Sequence, residues 1–164
     1  MNFYPWVVIG HVLFVIVSFM AHGVSAFAMF RVRSEGDRVR LGAILDLSAT
    51  SLVTAGITLL VAIVLGIVAA IMGGHFGRLW PWVSIGVLIV AIGAMTPLAA
   101  TPLGEIRTAL GQRARSDKPT DPPRMPASDE DLAAAQARLR PELVAAIGLA
   151  ALAILVWLME VKPF

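Results

Sequence analysis

The chain has 164 residues, 58% of them hydrophobic and only 15% charged. A soluble domain carries about 25% charged residues, so this balance makes lipid the main solvent. There is no cysteine, which excludes disulfides, thiolate catalysis, zinc fingers and iron–sulfur clusters. The formal charge is +2 and the basic residues lie in short loops, which argues against nucleic-acid binding because that needs a continuous basic face.

The N-terminal "MNFYPW" lacks the basic start of a cleaved signal peptide, so the first hydrophobic segment is expected to stay as a span. Crossing a bilayer takes about 20 helical residues. Four segments qualify, at about 6–30, 48–72, 80–100 and 143–159. Backbone groups in lipid must satisfy one another, so each is a helix. The expected fold is all-α: a polytopic membrane protein, a four-transmembrane-helix bundle in one membrane domain over 1–164, with a loop at 104–141.

The first span holds two histidines. His11 and His22 differ by only about 20° around a helix and about 16.5 Å along it. Ser18, Ser25 and Met29 share their stripe, with Val15 near it. A polar stripe in an apolar helix should face protein, leaving Val12, Phe19 and Phe30 toward lipid. One metal or haem iron cannot take both rings, because ligand bonds are near 2 Å. Three readings stay open: interhelical hydrogen bonds, haem or metal ligation with soft partners among Met20, Met29, Met72 and Met95, and proton or substrate handling.

In the second segment, "RLGAILDLSA" precedes the stretch counted back from Met72, whose inner edge falls near Ser51. It should project into the headgroups, and Asp46 then needs no buried partner. Thr50, Ser51, Thr54 and Thr58 share roughly one face and are candidate interhelical contacts, with Ser51 or Thr54 the simplest partner for His22. Small residues at helical spacing follow: Ala62, Gly66 and Ala70 here, Gly86 and Gly93 in the third span, Ala146, Ala150 and Ala153 in the fourth. They let backbones approach.

The loop "GGHFGRLWPW" carries His75, a candidate metal ligand. The third span ends in "GAMTPLAATPLGEIR", where Pro97 and Pro102 should kink or stop the helix. "GEIRTALGQRAR" then reads as an interfacial extension whose arginines meet anionic headgroups. "SDKPTDPPRMP" should be extended and mobile. "SDEDLAAAQARLR" reads as a helix with Ser128 as N-cap and three acids in its first turn, which Pro141 kinks or separates from the last span.

Eleven of the thirteen basic residues fall in the loops after the first and third spans. That side should be the cytoplasm, with both termini outside. Tyr4, Trp6, Trp80, Trp82 and Trp157 form an aromatic belt at the opposite edge. There is no phosphate-binding loop, no HExxH, no Ser/His/Asp grouping and no pair of buried carboxylates, so catalytic residues are expected to be none.

"GHVLFV", "AHGVSA", "RVRSEGDRVR" and "GGHFGRLWPW" together resemble a group of small bacterial four-helix membrane proteins of unknown function. That group distantly resembles the copper-resistance protein D and HemJ-type superfamily. The resemblance implies a multi-pass inner-membrane protein and, through the HemJ-type members, haem and porphyrinogen oxidation carried at His11. The expected role is a structural or accessory subunit of a membrane complex, in contact with lipid and with other membrane subunits or a second copy. The alternatives are a haem-binding redox protein, holding haem b through His11 or His22, and transport of copper or another metal.

Overall fold

The computed structural model describes residues 2–113, 117, 118, 120, 122 and 124–164. Pro5 opens helix α1 (Tyr4–Ser34), where its missing N–H costs nothing because the first amides of a helix lack partners anyway. Arg31 and Arg33 occupy its last turn, which suits the negative end of the helix dipole. Asp37 starts α2 (Arg38–Met72): its carboxylate accepts from the N–H groups of Val39 and Arg40 at 2.8 and 3.0 Å. Those backbone bonds, Arg40's foremost, hold the carboxyl below its ordinary range. α2 stops at Gly73. Gly74 follows with φ 64°, a left-handed turn that a side chain would strain. A 3-10 turn, His75–Gly77, leads into α3 (Trp80–Met95).

At Pro97 the helix does not stop. It widens over Thr96–Ala100 into a π turn, in which the Thr101 N–H reaches five residues back to Thr96 O, and continues as α4 (Thr101–Ala109). A wide turn lets a helix pass a residue that has no N–H and whose ring crowds the preceding turn. The short α5 (Asp129–Ala137) begins at Ser128, whose Oγ accepts from the Asp131 N–H at 3.1 Å. Pro141 is the first residue of α6 (Pro141–Val161) and separates it from α5. The proline-rich stretch lies partly outside the described residues. Within it, Arg124 pairs with Asp117 at 2.7 Å, and just beyond it the Ala127 N–H donates to Ala109 O at 2.8 Å.

Four helical stretches are long and apolar enough to cross a membrane: Tyr4–Ser34, Arg38–Met72, Trp80–Ala109 and Asp129–Val161. The chain is an all-α, multi-pass four-helix membrane bundle. α1 pairs most extensively with α2 and α3 pairs with α6, while α1 also touches α6. Large apolar side chains point outward along every span; Trp6 is 72% exposed, Met20 and Phe27 each 68%. Such a surface suits hydrocarbon. Val12 and Phe30 are on it, whereas Phe19 is half-buried.

The densest packing sits at one end. Met29 and Val32 of α1, Leu41 and Leu45 of α2, Leu103 and Ile106 of α4, Leu132 of α5, and Leu139 and Val144 beside it form one buried cluster. We call this the cap. Ion pairs surround it: Arg33–Glu142 and Arg107–Asp46 at 2.8 Å, Arg38–Asp129 at 2.6 Å and Arg138–Glu105 at 3.6 Å. Gln136 is buried, and its Nε2 donates to Val32 O at 2.6 Å and Glu35 O at 2.9 Å. It satisfies carbonyls that the end of α1 leaves open. Asp46 is exposed and needs no buried partner; its carboxylate pairs at the surface with Arg107. Arg107 is bound to that carboxylate instead of standing free for a headgroup, because α4 runs alongside α2.

Candidate functional site

The polar stripe of α1 faces α2. His11 Nδ1 lies 2.7 Å from Ala62 O, Ser18 Oγ donates to Ala55 O at 2.9 Å, and Ser25 Oγ shares a 2.7 Å hydrogen bond with Ser48 Oγ. Each successive tie is seven residues further along α1 and seven residues back along α2. One step on, Val32 meets the level of Leu41, both fully buried. A seven-residue repeat keeps one seam facing its partner through a shallow left-handed supercoil. On α2 the seam positions are Ser48, Ala55 and Ala62, all buried. Their small side chains let α1 approach until Ser18 and His11 reach backbone oxygens of α2 and Ser25 reaches the Ser48 hydroxyl.

A carbonyl only accepts, so His11 carries its proton on Nδ1 and donates it to Ala62 O. The ring is seated on Gly66: a Cβ there would come within 2.9 Å of it. An imidazole anchored through Nδ1 leaves Nε2 available, which is also how metal-bound histidines are oriented. The surroundings therefore decide. Among the described residues, no three His, Asp or Glu side chains come together in a way that could hold a metal ion.

His22 points elsewhere. A Cβ on Gly148 of α6 would lie 3.9 Å from His22 Nε2 and 3.1 Å from Met95 Cε of α3. The histidine and the methionine thus converge on the gap left by a missing side chain. Ser51 and Thr54 are not its partners. Thr54 and Thr58 bond back into their own helix, Thr54 to Thr50 O at 3.0 Å and Thr58 to Thr54 O at 2.8 Å. Thr50 does the same to Asp46 O. Threonine hydroxyls on a helix have this local acceptor always within reach.

His75 sits at the other end of the bundle. Its Nε2 is 3.3 Å from the Tyr4 hydroxyl, and its ring packs on Trp80 at 5.5 Å between centroids. Partial burial, then the charges of Lys162 and Arg78, push its pKa below the ordinary imidazole value. Two positive neighbours also disfavour a bound cation. His11, His22 and His75 therefore occupy three separate settings. What sequence reasoning missed are the partners on α2: the backbone oxygens of Ala55 and Ala62 and the hydroxyl of Ser48. The seven-residue spacing of His11, Ser18 and Ser25 was the available signal for them.

No protein-family model, curated protein or solved structure matches the chain.

Proposed function

We propose that the protein is a structural or accessory subunit of a membrane complex in a bacterial inner membrane, with both termini outside and the cap in the cytoplasm. One observation carries this reading. Three of the four polar groups on the α1 stripe, His11, Ser18 and Ser25, are engaged in a regular seam with α2, and His22 alone turns toward α3 and α6. Interhelical bonds of this kind are worth roughly 0.6 kcal/mol each, enough to fix the register of two helices. Copper transport would need a chain of ligands, and His22 with Met95 supplies one pair.

The test is extraction in a mild detergent from cells supplied with copper and a haem precursor. The chain should migrate on a native gel with other polypeptides, well above its own 17.4 kDa, and carry neither a Soret band nor stoichiometric copper. Migration as a lone monomer overturns the accessory role. A Soret band lost in His11→Leu or His22→Leu replaces it with the haem reading.

Orientation is tested separately. A cysteine at Gly36, in the arginine-rich turn, should be shielded from an impermeant thiol reagent in intact cells, and one at Gly77 should be labelled. Both glycines have open space at the Cβ position. The basis is the eleven-to-two bias of basic residues. Labelling at Gly36 from outside reverses the topology.

A further inference from the structure

Four arginines flank the turn between α1 and α2, and they divide into two pairs. Arg33 and Arg38 are held by Glu142 and Asp129 of the cap. Arg31 and Arg40 form no ion pair among the described residues, and both line one groove on the outer surface of the α1–α2 hairpin. The groove has a volume of about 710 Å³. Its floor is apolar, from Gly23 and Phe27 on α1 to Leu47 on α2, and its mouth is set by Arg31, Arg40 and Glu35. Glu35 is partly engaged, its Oε1 accepting from the Asp37 N–H at 3.0 Å. The lining groups, Arg31 and Arg40 against Glu35, sum to one positive charge, and the Asp37 carboxylate that caps α2 also feels the charge of Arg40.

Depth matters as much as charge. Counting about 20 residues from Trp6 puts the inner edge of the hydrocarbon near Ala26. The seam places Leu47 at that level, next to the Ser25–Ser48 bond. This edge lies about 6 Å nearer the cap than the one counted back from Met72, because α2 extends past the level of Trp6 at the far end. Gly23 then lies just inside the acyl region. Arg31 lies about 7 Å beyond the edge and Arg40 about 10 Å. Headgroups occupy roughly 5–7 Å on each side of the hydrocarbon, and a long arginine stem covers the remainder.

We propose that this groove binds one anionic phospholipid, with its phosphate between Arg31 and Arg40 and an acyl chain running past Phe27 toward Gly23. The guanidinium pair recognises the phosphodiester by charge-assisted hydrogen bonds. The apolar floor is open where hydrocarbon begins, so the chain enters without leaving the bilayer. The inference is independent of the accessory role and requires only that the hairpin span a membrane.

The test is native mass spectrometry of the full-length protein in detergent, titrated with phosphatidylglycerol and with phosphatidylcholine. The wild type should bind one phosphatidylglycerol in preference to phosphatidylcholine. The double variant Arg31→Gln, Arg40→Gln should bind phosphatidylglycerol roughly 30-fold more weakly, at the phosphatidylcholine level. Arg33→Gln, which removes an arginine already paired to Glu142, should keep the preference. Gly23→Leu should weaken both lipids by filling the groove, since a Cβ at Gly23 meets nothing within 4 Å. Equal phosphatidylglycerol affinity in the wild type and the double variant overturns the proposal, as does equal binding of the two lipids by the wild type. So does disulfide cross-linking of Val24→Cys to a second copy in phosphatidylglycerol vesicles, which would show that a partner chain covers the groove.

Discussion

Replacing Leu41 by alanine should cost about 2–5 kcal/mol, the range for emptying a buried leucine site. Leu41 is fully buried, in the first turn of α2 and at the level of Val32. It belongs to the cluster that joins α1, α2, α4, α5 and α6. The cap lies beyond the hydrocarbon, where water supplies the hydrophobic driving force that lipid does not. Its leucines should therefore behave like those of a soluble protein. Val39 makes the control: it is two residues away, on the same helix, and 84% exposed. Val39→Ala should stay within about 0.5 kcal/mol of the wild type. The measurement is unfolding in detergent, with proteolysis between α4 and α5 as a local readout. Equal losses in the two variants would mean that the cap is not a core.

Ala62→Leu should separate α1 from α2. Ala62 is 1% exposed and its carbonyl receives the His11 bond, so three added carbons have nowhere to go but into α1. Overpacking of this sort costs about 1–3 kcal/mol, whereas losing the histidine bond alone costs roughly 0.6 kcal/mol. Sterics should therefore dominate, and His11→Leu should be milder than Ala62→Leu. Disulfide formation between cysteines at Ser18 and Ala55, the next seam level, reports the separation directly. It should be fast in an otherwise unchanged chain and slow when Ala62→Leu is added. An unchanged rate would sink the seam as the element that sets helix spacing.

Much of this was legible in the sequence, and the parts that were not share a cause. Hydropathy finds the spans because lipid-facing residues must be apolar, whatever their neighbours. It also cuts each span short. α2 begins at Arg38, ten residues before the apolar stretch from Ser48, because the helix continues as a polar-ended rod past the bilayer. Ser128 was readable as an N-cap because its partner is only three residues away. Gln136 was not: its acceptors, Val32 O and Glu35 O, lie more than 100 residues earlier, and a glutamine in a polar stretch reads as solvated. The same holds for Asp46, whose partner Arg107 is 61 residues distant. At the candidate site, the stripe on α1 was visible, but two of its three partners on α2, at Ala55 and Ala62, are backbone oxygens. Composition does not encode those; only the helix register does.

The separation of these contacts along the chain has a consequence for how the protein is made. The seam joins neighbours in sequence, so the α1–α2 hairpin can close while the rest of the chain is still inside the ribosome. The cap cannot. The Gln136 bonds to Val32 and Glu35 span 104 and 101 residues, and the Arg33–Glu142 pair spans 109. Until those late residues emerge, the carbonyls at the end of α1 and the apolar side chains of Met29, Val32, Leu41 and Leu45 stay uncovered. Closure of the cap therefore waits for Gln136 and Glu142, and a chain truncated before them presents its unpaired end to whatever proteases or chaperones patrol the membrane surface.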